Sequence, residues 1–178
     1  EVGDLIYVDS NNDGKINSKD RVFIGSPIPK FIYGLSFEAS FKSFEFNLDF
    51  QGQTGNKIYN GKEAVRPDLY NFENHVIDRW TGEGTSNSEP KATVGGVNWL
   101  PSQRFLQDGS FIRLRNITIA YKVPDSSLKR LRLSNAKIFI RGTNVWTLTK
   151  FTGYTPEITS SDVLSAGIDN GIYPITAV

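Results

Sequence analysis

The stretch Asp9-Ser10-Asn11-Asn12-Asp13-Gly14-Lys15-Ile16-Asn17-Ser18-Lys19-Asp20 carries the sharpest chemical pattern in the chain. Its opening residues fit the arrangement D-x-[DN]-x-[DN]-G, the spacing at which a hard cation such as Ca2+ finds several oxygen ligands on one loop. Asp9, Asn11 and Asp13 offer side-chain oxygens, Lys15 offers its backbone carbonyl, and Gly14 permits the sharp turn. Asp20 stands at the twelfth position of the loop, where a further carboxylate is wanted. The spacing predicts one Ca2+ ion in a structural role. A turn rich in Asn, Asp and Gly that closes without an ion is the competing reading of the same residues. No pair of helical patterns flanks the loop, so a single ion stiffening a surface loop is expected rather than a regulatory helix pair.

Catalytic chemistry finds fewer parts. His75 is the only histidine, and an ordinary surface or packing role is expected for it rather than that of a base. No G-x-S-x-G, phosphate-binding loop or histidine pair is present, so acyl transfer, phosphoryl transfer and zinc chemistry lack their groups. Glu38 and Glu45 are expected to face one another across a hairpin, the kind of carboxylate pair that glycoside hydrolysis uses. They also fall on the polar side of alternating strands, where solvent or a barrel lumen receives any charged residue, and that reading is preferred. The chain is therefore not expected to be an enzyme. Tyr59, Tyr70, Phe72, Trp80 and Trp99 lie in predicted loops and are candidate contacts for a ligand or partner, although anchoring long loops explains them equally well.

Composition narrows the classes further. Twenty basic residues against 19 acidic ones leave a net charge of +1, without the basic clusters that nucleic acid requires. The absence of cysteine removes disulfide frameworks and thiolate metal sites. No run of about 18 apolar residues suggests a membrane helix, and no signal-peptide pattern stands at Glu1. A β-barrel leaves neither mark, because alternating strands average out to the mildly negative mean hydropathy seen here.

The elements that must position these groups are mainly strands. Residues 1–30 read as a polar lead-in ending in Gly25-Ser26-Pro27-Ile28-Pro29, which interrupts any ladder. From Phe31 the period is two, with Phe31, Tyr33, Leu35, Phe37, Ala39 and Phe41 on one face. A tight turn near Lys42-Ser43 leads to a second strand whose Phe44, Phe46, Leu48 and Phe50 share a face. Each strand is about ten residues or longer, close to what a tilted strand needs to cross a bilayer. Residues 52–105 form a long excursion with a helical possibility around 70–80, at Phe72, Val76 and Trp80. A third strand is predicted from Ser110 to Lys122, with a bulge near Asn116 where the apolar phase shifts from Ile112 and Leu114 to Ile117, Ile119 and Tyr121. A connector over 125–134 and a fourth strand over Ala136 to Thr149 follow. Residues 31–178 are read as a single unit.

Several segments in order resemble the SusC/RagA family of TonB-dependent outer-membrane proteins of Bacteroidetes. They are Gly3-Asp4 through the Asp9–Asp20 loop, Ile24-Gly25-Ser26-Pro27-Ile28-Pro29-Lys30-Phe31, Gly55-Asn56-Lys57-Ile58-Tyr59-Asn60, Asp78-Arg79-Trp80-Thr81, the run from Arg104 to Asn116, and the run from Gly142 to Glu157. The resemblance implies an all-β chain of antiparallel strands forming the C-terminal segment of a large, 22-stranded outer-membrane barrel with long extracellular loops. It implies import of oligosaccharides or peptides, energy relayed by TonB through an N-terminal part, and a SusD-like surface lipoprotein as lid. Against that pattern the plug, the TonB box, most strands and the final aromatic-ended strand are missing, so a fragment is expected. The lead-in 1–30, with its calcium loop, would then be extracellular, and the strands of 31–178 would meet outer-membrane lipid. A soluble, calcium-stabilised β-sandwich that binds carbohydrate is the alternative, and it requires burial of the same Phe-rich faces.

Overall fold

The computed structural model describes residues 1–65, 73–158, 160 and 162–171. Its strands are β1 (Phe31–Phe41), β2 (Phe44–Thr54), β3 (Lys57–Asn60), β4 (Leu106–Asp108), β5 (Phe111–Lys122), β6 (Lys137–Thr149) and β7 (Ile168–Asp169). Two short helices, α1 (Gly61–Val65) and α2 (Asp125–Leu131), accompany them. Among the described residues no helix is long and apolar enough to cross a membrane.

The four long strands form one antiparallel sheet in the order β1-β2-β5-β6, with β1 and β6 at its edges. The first hairpin turns at Lys42, which adopts φ 53°, and pairs Phe41 with Phe44 at its tip. Strand β2 continues past the predicted end to Thr54, because Gln51, Gln53 and Thr54 still find partners on β1. The predicted bulge is present: β2 pairs Asp49 with Asn116 and then Phe50 with Leu114, leaving Arg115 as the extra residue. That insertion restores the alternation. Ile112, Leu114, Ile117, Ile119 and Tyr121 all pair with the Gly52–Phe44 side of β2 and so share one face.

The sheet is two-sided in chemistry. Phe41 and Ala39 of β1 pair with Phe44 and Phe46 of β2, these stand opposite Tyr121 and Ile119 of β5, and those in turn oppose Ile138 and Ile140 of β6. Much of this face is exposed, Leu35 at 67%, Phe37 at 54% and Ile140 at 71%. A sandwich would have buried them under a second sheet, so the structure does not support the soluble alternative.

The chain divides into two compact units, one of Glu1–Gly25, Tyr59–Leu106 and Ile168–Gly171, and one containing Ser26–Ile58 and Gln107–Gly167. The sequence places a boundary after residue 30 and treats 31–178 as one unit. The grouping differs because the lead-in packs on the excursion: Leu5 N donates to Asn98 Oδ1 at 2.8 Å and Tyr7 Oη to the Val97 carbonyl at 2.8 Å. Such bonds join residues some 90 positions apart and leave no local pattern. In the same unit β3 and β7 pair in parallel, Tyr59 with Ile168 and Asn60 with Asp169.

Two further expectations are corrected. Of the helix predicted around 70–80, residues 70–72 lie outside the described residues, and the rest contains a single 3-10 turn, Asn74–Asp78. The connector after β5 is helical: Pro124 sets the entry, Asp125 stands in the first turn, and Leu128 is 2% exposed. In the four-stranded unit the buried side chains include Ile58, Phe111, Ala120, Leu128, Phe151 and Arg113.

Candidate functional site

The Asp9–Asp20 loop closes on its own side chains. Asp9 Oδ1 accepts from the Asp13 amide at 3.2 Å and Oδ2 from the Gly14 amide at 2.7 Å. Asn11 Oδ1 accepts from the Asp13 amide at 3.0 Å, and Asp13 Oδ1 from the Lys15 amide at 2.9 Å. Asp20 gathers the loop's two ends, accepting from the Ser10 amide at 3.0 Å and the Asn17 amide at 2.7 Å. Asn17 caps the 3-10 turn Ser18–Asp20, and Gly14, at φ 76°, supplies the positive-φ turn. The Asn17 amide above all holds the Asp20 carboxyl below its ordinary value. Each carboxylate oxygen keeps lone pairs beyond those used here, so the set of donors remains suited to a hard cation.

The described loop aromatics are engaged in packing. Tyr59 meets Phe105 edge-on at 5.9 Å between centroids, and Trp99 stacks on Phe105 at 6.5 Å. Trp99 Nε1 also donates to the Thr93 carbonyl at 3.0 Å. Trp80 lies against Gly3, where a Cβ would come within 2.6 Å of the indole. Tyr70 and Phe72 lie outside the described residues.

The polar face of the sheet is a cross-strand network. Ser36 Oγ donates to Asp49 at 2.8 Å, Asn116 Nδ2 to Asp49 at 3.1 Å, and Asn47 Nδ2 to Glu38 at 3.0 Å. Lys137 pairs with Glu45, and Arg141 Nε donates to Thr118 at 3.3 Å. Glu38 stands opposite Asn47 and Glu45 opposite Ser40, so the two carboxylates are not the facing pair the sequence suggests. With each committed to a different neighbour, the acid and base of glycoside hydrolysis are not assembled. Glu38, Glu45, Asp49, Asn116, Lys137 and Arg141 help to line a concavity of about 720 Å3. Arg113, 6% exposed, closes a related network that the sequence did not indicate. It donates to Thr147 at 2.9 Å, to Glu157 at 2.6 Å and to Thr155 at 3.0 Å.

His75 is more involved than a surface histidine. Its Nε2 lies 3.5 Å from Glu63 and 3.7 Å from Glu73, and its Nδ1 3.3 Å from Glu89. Arg104 binds Glu63 at 3.3 Å and Glu89 at 2.6 Å, while Lys62 reaches Glu73 at 3.8 Å and Asp169 at 3.3 Å. Although ligand atoms of Glu63, Glu73 and His75 lie within 4.8 Å of one another, both carboxylates already hold these cations, and we assign no ion there. Burial pushes the Glu63 carboxyl above its ordinary value, outweighing the lowering effect of His75 and Arg104.

No protein-family profile matches the chain. Curated relatives do. A TonB-dependent receptor of Formosa agariphila is 32% identical over 183 residues, covering 97% of this chain and 18% of the receptor. The TonB-dependent receptor SusC of Bacteroides thetaiotaomicron is 23% identical over 173 residues, covering 95% of this chain. The chain belongs to the SusC/RagA-like TonB-dependent receptor family. A second receptor of Formosa agariphila matches at 28% identity, again over 97% of this chain and 18% of its own length. Solved structures agree on the fold. The RagAB peptide transporter superposes with a TM-score of 0.68 at 22% identity, covering 85% of this chain and 16% of that one. The closed-closed state of the RagAB peptide importer gives 0.67 at 19% identity over 92% of this chain. The chain spans 18% of the length of the first Formosa receptor and 16% of that of SusC.

Proposed function

We propose that this chain supplies C-terminal strands and extracellular loops to a TonB-dependent importer in the outer membrane of a Bacteroidetes-like cell. The importer takes up oligosaccharides or peptides with a SusD-like lipoprotein as lid and TonB acting through its N-terminal part. The carrying observation is the two-faced sheet, with an exposed apolar face across all four strands and a cross-linked polar face behind it. A lipid-facing band and a wet lumen require that division. The strands, of 11, 11, 12 and 13 residues, are long enough to cross the hydrocarbon core at a tilt. Edges such as those of β1 and β6 must be paired in lipid, which the further strands of a 22-stranded barrel provide. The charges of both signs on the polar face, Glu38, Glu45 and Asp49 with Lys137 and Arg141, suit a hydrated polar oligomer rather than an apolar substrate.

The test is single-cysteine labelling in the whole receptor in native outer membrane. Cysteines at Phe37 and Ile140 should accept a lipid-soluble maleimide and resist a charged one, and those at Asn47 and Thr118 should behave oppositely. Equal labelling of both sets by the charged reagent would overturn the reading. Uptake of labelled maltooligosaccharides or of labelled peptides by cells carrying the receptor would then assign the substrate class.

The Asp9–Asp20 loop is proposed to take one Ca2+ through Asp9, Asn11, Asp13, Asp20 and the Lys15 carbonyl. The donor spacing supports this, and the Asp20 bonds that already join the loop's ends would limit the ordering cost of binding. Calorimetric titration with Ca2+ should show a single site that Asp13→Ala removes, and its retention in that variant would exclude the assignment.

A further inference from the structure

We propose that His75 is a proton-operated latch for the excursion that follows β3, closed when its ring is an imidazolium and loosened when it is neutral. The proposal is independent of what the receptor imports. The joint gathers groups from separated segments: Glu63 from α1, Glu73 and His75 around the 3-10 turn Asn74–Asp78, Glu89 from the following loop, and Arg104 from the 3-10 turn Gln103–Phe105. Asn60 of β3 adds donors, its Nδ2 lying 3.3 Å from both Glu63 and Glu73.

Charge counting shows what the ring does there. Among the described residues, the joint holds the carboxylates Glu63, Glu73, Glu89 and Asp169 against two permanent cations, Lys62 and Arg104. Both nitrogens of His75 face carboxylate oxygens at 3.3 to 3.7 Å. A neutral imidazole carries one N–H, so in either tautomer one lone pair is aimed at a carboxylate. An imidazolium donates on both sides and ties α1, the 3-10 turn and the Glu89 segment together. The Nδ1 atom is cut off from solvent and forms no hydrogen bond among the described residues, so water does not relieve the repulsion on its Glu89 side. The raised Glu63 carboxyl acts in the same sense, since proton loss there also adds negative charge beside Glu73 and Glu89.

Amide exchange read by mass spectrometry on the whole detergent-solubilised receptor tests the latch. Peptides covering residues 61–65 and 73–89 should exchange about threefold or more slowly at pH 5.5 than at pH 8, after correction for the intrinsic rate, a modest ratio suited to partly exposed charge pairs. Peptides from β2 and β5 serve as the control for folding. His75→Gln should give fast exchange at both pH values, and His75→Arg slow exchange at both. Glu89→Gln, a milder change, should reduce the pH response by removing the carboxylate at Nδ1. Wild-type exchange that does not depend on pH, or a pH response that survives His75→Gln in a folded receptor, would overturn the proposal.

Discussion

Tyr33 lies across Gly52, its partner in the first hairpin, and reaches past it to donate its hydroxyl to the Phe111 carbonyl at 3.1 Å. The aromatic ring fills the space that a side chain at Gly52 would occupy. A Cβ there would stand 2.5 Å from both the ring and the Phe111 oxygen. One residue thus joins β1, β2 and β5, which explains a glycine in the middle of a strand. Gly52→Ala should destabilise the folded receptor by roughly 1–3 kcal/mol through overpacking. Tyr33→Phe, which removes only the hydrogen bond, should cost about 1 kcal/mol. Thermal unfolding of the purified receptor, followed by loss of sheet circular dichroism, ranks the two, and a Gly52→Ala variant as stable as wild type would contradict the packing.

Arg113 is a second joint, and its partners make its removal asymmetric. Its guanidinium holds Thr147 on the neighbouring strand together with Thr155 and Glu157, which follow β6. Arg113→Ala strands those acceptors and should cost roughly 2–3 kcal/mol, whereas Glu157→Gln, changing a half-exposed group, should cost under about 1 kcal/mol. Limited proteolysis should cleave near residues 151–157 in the Arg113 variant first. Equal resistance in both variants would show that the segment is held elsewhere.

The strands were legible because their information is local. Phe31–Phe41 and Phe44–Phe50 alternate without interruption, and the phase change around Asn116 locates the bulge to within one residue of Arg115. The helix Asp125–Leu131 had a usable signal in Pro124-Asp125 and the spacing of Leu128 and Leu131. The excursion had none of comparable strength. Its fold depends on pairs such as Leu5 with Asn98 and Arg104 with Glu63, whose members lie far apart in sequence. The His75 joint was hidden for the same reason: a single histidine looks ordinary until Glu63, Glu73 and Glu89 are brought around it.

The raised Glu63 carboxyl gives a pH prediction with a definite sign. Because burial favours its protonated form in the folded loop, the stability tied to this group is present below the carboxyl's unfolded value and is lost as pH rises through the folded one. Glu63→Gln, neutral at every pH, should remove that part of the pH dependence and stabilise the excursion at pH 8 by up to roughly 1 kcal/mol despite the lost ion pair with Arg104. Exchange protection of residues 61–65 at pH 8 checks this, and weaker protection in the variant would show that the ion pair outweighs burial.

Deleting Arg115 should be far worse than replacing it. Arg115→Ala loses only the hydrogen bond to Gln51 on the polar face, an exposed interaction worth within about 0.5 kcal/mol. Deletion instead removes the bulge. Residues on one side of it would then have to turn over, sending Ile112 and Leu114, or Ile117, Ile119 and Tyr121, to the polar face and their polar neighbours to the apolar one. In a membrane the second outcome places Asn116 and Thr118 in lipid, and the first places Ile112 and Leu114 beside Asp49 and Gln51 and sends Arg113 into lipid, so neither repair is cheap. The deletion variant should be missing from the outer-membrane fraction and show no heat-modifiable band on gels, while Arg115→Ala matches wild type in both. A folded deletion variant would mean that β5 has slipped to a register in which the phase change at Asn116 carries no structural role.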